Sequence, residues 1–282
     1  MASEFFSIIE GDGPVVAAAI HNGHSVRDEV ASLLAIDEAA RLREEDPHTA
    51  QWTGVAPTQI VGLRSRFEVD LNRPRNRAIY RCPAHAWGLR VWNGELPTGV
   101  AIRSLEEYDA FYRRVRQTLA RLERRFGGFV VLDLHTYNHR RGGPDAPPDD
   151  PAKNPQVNVG TGSMDRAYWA PLVDRFVADL RSFDFPGGRL DVRENVRFRG
   201  GHFSAWVHER FPKTGCALAI EVKKIFMNEW TGEPDEPLLQ AVGEALQSAV
   251  PGILEQLQCL QARPSTSRPP SVTASSEPFA IG

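Results

Sequence analysis

Phe129-Val130-Val131-Leu132-Asp133-Leu134-His135 is the stretch on which the reading of the fold turns. It is a nearly unbroken apolar run, entered from Gly127-Gly128 and ending on a histidine. A run this short, bounded by turn residues, reads as a strand covered on both faces, typical of a parallel-rich sheet between helices. Two other runs have the same form. Val15-Val16-Ala17-Ala18-Ala19-Ile20 leads into His21, and Cys216-Ala217-Leu218-Ala219-Ile220 into Glu221.

Amphipathic segments separate these runs. Residues 26–43 read as a helix with Val30, Leu33, Leu34 and Ala40 on its apolar side, ended by Glu44-Glu45-Asp46-Pro47-His48 because proline disfavours helical geometry in the residue before it. Residues 104–126 form the clearest helix, with a Ser104–Glu107 capping box, a stripe from Leu105 to Leu122 and a stop at Gly127-Gly128. Further helices are predicted over 165–182, 203–210 and 237–260, and short strands over 59–63 and 66–69. Residues 142–155, rich in Gly, Pro and Asp, read as a mobile loop beside the strand that ends at His135. The alternation predicts an α/β fold: a three-layer sandwich around a mixed, parallel-rich central sheet, with no internal boundary over residues 1–262. Residues 263–282 are Ser, Pro and Thr with little to bury, and read as a disordered tail.

Composition narrows the function. A net charge of -3 argues against nucleic acid or an anionic membrane surface as a general partner. Arginine far outnumbers lysine among the basic residues, which suits fork-like recognition of carboxylates. Cys82, Cys216 and Cys259 are widely spaced and odd in number, fitting neither a zinc finger nor a disulfide framework, so a reducing compartment is expected. Without a signal peptide or an apolar run of spanning length, the expected location is the cytoplasm.

Ligands of open α/β sheets sit outside the carboxyl ends of the strands, where His21, His135 and Glu221 all fall. Zinc catalysis needs three protein ligands, usually histidines with a carboxylate, and an open position for water. His21 and His135 are the first two candidates; His24, Glu45 and Asp46 each remain open as the third. Glu221 suits a general base, since a carboxylate in an apolar strand is costly to bury alone, although Lys223 or Lys224 could pair with it. In Asp70-Leu71-Asn72-Arg73-Pro74, Asn72 and Arg73 suit a substrate carboxylate, and Arg66 suits a developing oxyanion, with Asp70 placed to hold either arginine. Arg197-Phe198-Arg199-Gly200-Gly201-His202 is a basic glycine loop from which Arg199 or His202 could reach a ligand.

Taken in order, these segments resemble the N-formylglutamate amidohydrolase family, distant relatives of zinc carboxypeptidases and aspartoacylase. The resemblance covers residues 14–233 and rests on His21-Asn22-Gly23, Asp46-Pro47-His48, Ser65-Arg66-Phe67-Glu68-Val69-Asp70-Leu71-Asn72-Arg73-Pro74, Leu132-Asp133-Leu134-His135-Thr136, Asn158-Val159-Gly160-Thr161, Phe198-Arg199-Gly200-Gly201-His202 and Ala219-Ile220-Glu221. It implies a zinc carboxypeptidase-like fold, with one zinc ion on His21, Asp46 and His135 and with Glu221 as catalytic carboxylate. It further implies that Asn72 and Arg73 grip the carboxylate of a small N-acyl amino acid, N-formylglutamate by default. A carboxypeptidase-like peptidase and a non-catalytic carboxylate-binding protein are the other readings. Three features depart from the pattern: His24 stands where carboxypeptidases place a glutamate, Pro47 replaces an aromatic residue, and Asn138-His139-Arg140-Arg141 is unusually basic.

Overall fold

In a computed structural model that describes residues 5–262, the chain forms a seven-stranded mixed sheet in the order β1-β3-β2-β4-β7-β5-β6. The strands are β1 (Phe6–Ile9), β2 (Val15–Ala19), β3 (Thr58–Gly62), β4 (Phe129–Tyr137), β5 (Val157–Gly160), β6 (Val192–Glu194) and β7 (Gly215–Lys223). The three predicted buried runs are β2, β4 and β7, adjacent and mutually parallel at the middle of the sheet. β1 runs antiparallel to β3 and β5 antiparallel to β7, which makes the sheet mixed.

Alternation within the central strands builds both cores. Val15 and Ala17 of β2, with Val130, Leu132 and Leu134 of β4, pack towards α4 (Ala170–Ser182) and α6 (Glu236–Gln261). Val16 and Ala18, with Phe129 and Val131, pack on the opposite face against α3 (Thr98–Phe126) and α5 (His202–Arg210). Each face buries a full apolar layer, so these strands tolerate almost no polar residue until their carboxyl ends. A third, smaller cluster around Phe67, Tyr80, Trp92 and Val100 closes the side of the molecule next to α3.

Several local expectations give way to tertiary contacts. Residues 26–43 are not one helix: α1 (Asp28–Ala31) and α2 (Glu38–Glu44) are separated where Leu34 bridges Trp92 and Ala35 N–H donates to Val91 O. Asp37 then caps α2 by accepting from Ala40 N. Residues 66–69 are a turn rather than a strand, because Ser65 takes both nearby amides: Phe67 N–H donates to its hydroxyl and Glu68 N–H to its carbonyl. The predicted capping box fails as well. Helix α3 begins at Thr98, and Ser104 lies inside it, its hydroxyl donating to Val100 O and accepting from Arg27. Its end is as expected, with Gly127 in the left-handed region at φ 75°. The helix expected from residue 165 starts at Ala170, after a turn in which Trp169 N–H donates to Asp165 O.

All three cysteines are free, with Cys216 buried in β7. Among the described residues no helix is long and apolar enough to cross a membrane. The tail expected over 263–282 lies outside the described residues.

Candidate functional site

Because β2, β4 and β7 are parallel, their carboxyl ends share one rim of the sheet, the rim at which such sheets bind ligands. His21 follows β2, and His135 of β4 stands directly across the ladder from Glu221 of β7. Asp133, His135 and Glu221 continue the face that carries Val131 and Ala217 in the core, so polar groups replace apolar ones just as the strands leave it.

Asp46 joins them from the turn after α2. Its amide donates to His21 O at 3.0 Å, which ties that turn to the end of β2. Its Oδ1 accepts from Thr136 Oγ1 at 2.9 Å, while Oδ2 lies 3.0 Å from His135 Nδ1 and 3.5 Å from His21 Nδ1. One ligand atom from each of His21, Asp46 and His135 falls within 4.8 Å of the other two, and all three residues are buried.

The outer nitrogen of each ring is fixed by a second acid. His21 Nε2 is 2.6 Å from Asp70 Oδ1, and His135 Nε2 is 2.9 Å from Asp133 Oδ1. An ionised carboxylate only accepts, so both Nε2 atoms carry hydrogen, and in the neutral rings both Nδ1 atoms present lone pairs to Asp46. Three acceptors therefore converge with no hydrogen among them, and His21 Nδ1 is buried without a hydrogen-bond partner. That arrangement is unfavourable unless a second proton on one ring, or a metal cation, lies between the three atoms. Two imidazoles braced by outer carboxylates plus one carboxylate form a donor set that fits zinc. The titration behaviour agrees with a centre that demands positive charge. Burial pulls the His135 imidazole down, but Asp133 and Asp46 outweigh it and hold its pKa well above the usual value. Burial raises the Asp46 carboxyl, yet His135 and His21 bring it far below the ordinary carboxylate range.

The Glu221 side chain makes no hydrogen bond or ion pair among the described residues. Its two sequence-suggested partners point elsewhere: Lys223 Nζ donates to Asn154 O at 2.8 Å, and Lys224 Nζ to Arg43 O and Glu45 O. Burial pushes the Glu221 carboxyl up to about 8; the nearby charges of Asp46 and Asp133 add to the rise and His135 opposes it.

His24 and Glu45, the alternative third ligands, are engaged with each other. Glu45 accepts from His24 and from the Ser65 hydroxyl, so this pair braces the turn beside the centre and stays out of it.

Asp70 does more than hold an arginine. Its Oδ1 accepts from His21, its Oδ2 from Arg66 Nη2 at 3.0 Å and from the Tyr80 hydroxyl. Arg66 also donates to Tyr80 and to Glu44 O, and the Trp87 ring lies 4.8 Å from its guanidinium, so its position is fixed from several sides. Asn72 Oδ1 accepts from Phe203 N–H at the start of α5 at 2.9 Å, leaving its amide nitrogen beside His135. Arg73 is half-exposed and lies 3.7 Å from Asp70. His202 packs near Tyr112, and Arg199 is exposed.

One cavity of about 970 Å³ is lined by His21, Asp46, His135 and Glu221 together with Arg66, Asn72, Arg73, Arg199 and His202. All the site residues expected from the sequence thus share one space. Sequence reasoning missed Asp133, although an aspartate two residues before His135 in a strand must share its face. It gives Arg197 and Arg141 no role beyond their basic segments and misses Arg43; all three contribute charge to the same cavity.

The sequence profile of the N-formylglutamate amidohydrolase family matches residues 13–227. No relative was found among curated proteins. Among solved structures, an N-formylglutamate amidohydrolase from Ralstonia eutropha JMP134 aligns with a TM-score of 0.69 and 17% identity, covering 90% of this chain and 98% of that one. A gene product of Agrobacterium tumefaciens aligns with a TM-score of 0.62 and 16% identity, covering 89% of this chain and 96% of that one. At these identities the likeness speaks to the fold.

Proposed function

The chain belongs to the N-formylglutamate amidohydrolase family, and on that premise we propose that it hydrolyses the amide bond of a small N-acyl amino acid, with N-formyl-L-glutamate the default substrate. The observation that carries this reading is the pairing of a cation-demanding His21–Asp46–His135 centre with an unpartnered Glu221 across the ladder from His135. One zinc ion per chain on those three residues would supply the Lewis acidity that lets water attack an amide at neutral pH.

The chain's own residues take the remaining roles. Asp70 and Asp133 fix the ring orientation and tautomer of His21 and His135. With a cation on the centre to offset Asp46 and Asp133 and bring its pKa down, Glu221 would be ionised to accept a proton from the attacking water and return it to the departing amine nitrogen, a role that its freedom from other partners favours. Arg66, held by Asp70, Tyr80 and Glu44, offers its charge to the carbonyl oxygen as that oxygen becomes anionic. Asn72 and Arg73 receive the α-carboxylate and orient the scissile amide.

The test is release of free amine from N-formyl, N-acetyl and N-succinyl amino acids and from a dipeptide, with and without a chelator. Chelator-sensitive turnover of the N-acyl amino acids supports the reading. Turnover confined to the dipeptide would replace it with a peptidase, and binding without turnover of any compound would reduce the protein to a carboxylate-binding one.

A further inference from the structure

Seven cationic side chains line the cavity against three carboxylates. Most of the seven are already committed. Arg66 is held by Asp70, Arg43 by Glu44, and Lys224 by backbone carbonyls; Arg73 and Arg141 each lie 3.7 Å from an aspartate, Asp70 and Asp149. Among the described residues, Arg197 and Arg199 have no ion pair. Arg199 is exposed, whereas Arg197 is half-buried with its Nε fully enclosed and without a hydrogen-bond partner.

The setting of Arg197 is built rather than incidental. Its guanidinium lies 5.7 Å from the Tyr137 ring and 5.6 Å from the Phe198 ring, so two aromatic faces hold it. Its backbone is stitched to Asn158, whose Oδ1 accepts from Arg197 N–H at 2.8 Å and whose amide donates to Phe198 O at 2.8 Å. Asn158 in turn stands directly opposite Glu221 in the β5–β7 pair. The loop can lie this close because Gly160 and Gly200 meet there: a Cβ on Gly160 would be 2.5 Å from Gly200 N, and Gly200 itself has φ 105°. Burial lowers the Arg197 pKa, and the like charge of Arg141 lowers it further. Two arginines are thus brought towards each other beside the reaction centre; the charges of Asp149 and Glu221 partly offset this at Arg197, but neither forms an ion pair with it.

We propose that Arg197, with Arg141 beside it, forms a second anion subsite that selects N-acyl amino acids carrying a negative group besides the α-carboxylate. The inference rests on the proposed deacylase reading, whose default substrate carries a second carboxylate on its side chain, and adds to it the residue that reads such a charge. Arg73 reaches the cavity on the loop after β3 and Arg197 on the loop after β6, so the two anion contacts come from opposite flanks of the sheet order. The second charge has two chemical sources: a carboxylate on the amino-acid side chain, or one at the end of the acyl group.

Matched pairs separate them. kcat/KM is measured for N-formylglutamate against N-formylglutamine, and for N-succinyl-alanine against N-butyryl-alanine, in wild type, Arg197→Gln and Arg197→Lys. Wild type should favour the charged member of one pair by about 10- to 100-fold, as expected for a charge-assisted bond. Arg197→Gln should bring that ratio close to one, and Arg197→Lys should restore part of it. The pair that responds identifies the source. A ratio is independent of the fraction of folded enzyme, so a poorly folding variant does not mimic the result. A wild-type ratio near one in both pairs, or a ratio unchanged in Arg197→Gln, would overturn the subsite. Should no compound turn over, glutarate and butyrate binding by calorimetry still decides: the deacylase reading would fall, and the subsite would stand only if Arg197→Gln removes a preference for glutarate.

Discussion

The floor and the wall of the cavity are organised on opposite principles. On the floor, Asp46, Asp70 and Asp133 surround two imidazoles, and nearly every polar atom is fixed by a partner within the protein. Its donor set suits a cation. On the wall, arginines from four separate segments face the same space, and among the described residues two of them have no ion pair. Their charge suits an anion. On the proposed reading the difference separates two tasks: a braced centre at the strand ends for the bond broken, and loop-borne charges for the molecule chosen.

Asp46→Ala should have the largest effect, because it removes a ligand and breaks the link between the two histidines: zinc content and turnover should fall together. Retention of a full zinc equivalent would shift the centre to other residues and break the contrast. Asp133→Asn should sharpen it. The ligands stay, but His135 loses the charge behind its outer nitrogen, so zinc affinity in a competition titration should fall about 10- to 100-fold. Arg73→Gln, on the wall, should leave zinc content intact and raise KM about 10- to 100-fold for substrates with a free α-carboxylate. An equal loss on the α-amide analogue would show that Arg73 is not reading that group.

The smallest effect on turnover belongs to a site outside both regions. His208 in α5 accepts from Ala217 N–H at 2.9 Å, an amide of β7 that β5 is too short to reach, and its Nδ1 faces Ser163. Burial lowers its pKa to about 4, and protonation would also turn the accepting Nε2 into a donor. The folded state therefore favours neutral His208. That contribution is complete above the unfolded value near 6.5, declines as pH falls, and is lost below about 4. The shift corresponds to about 3 kcal/mol, so the stability difference between wild type and His208→Gln in urea should shrink by roughly that amount across the window. A difference that stays constant with pH would refute the assignment, and turnover at neutral pH should change little.

The floor was more legible in the sequence than its surroundings. Apolar runs that cannot be anything but buried strands carry His21, His135 and Glu221 to one rim, so period and run length suffice to place them together. Asp46 was harder, because its turn is positioned by a bond to His21 O and not by local pattern; only the family resemblance singled it out from Glu45 and His24. The misread helix over 26–43 and the misplaced start of α3 have a common cause: both lie around the third cluster, where Trp92 and Val100 supply contacts distant in sequence from the segments they reshape. Arg197 shares its basic loop with Arg199 and His202. Nothing local distinguishes one loop arginine from another until Asn158 and Tyr137 are seen to hold it.

On the proposed reading, a metal held on the floor and an unpartnered Glu221 carboxylate divide the chemistry between them. Its most direct test measures zinc per chain and turnover of N-formylglutamate side by side in wild type and Glu221→Gln. Roughly one zinc in both proteins, with turnover abolished only in the variant, is the expected result. Full turnover in Glu221→Gln, or the absence of zinc from an active wild-type enzyme, would contradict it.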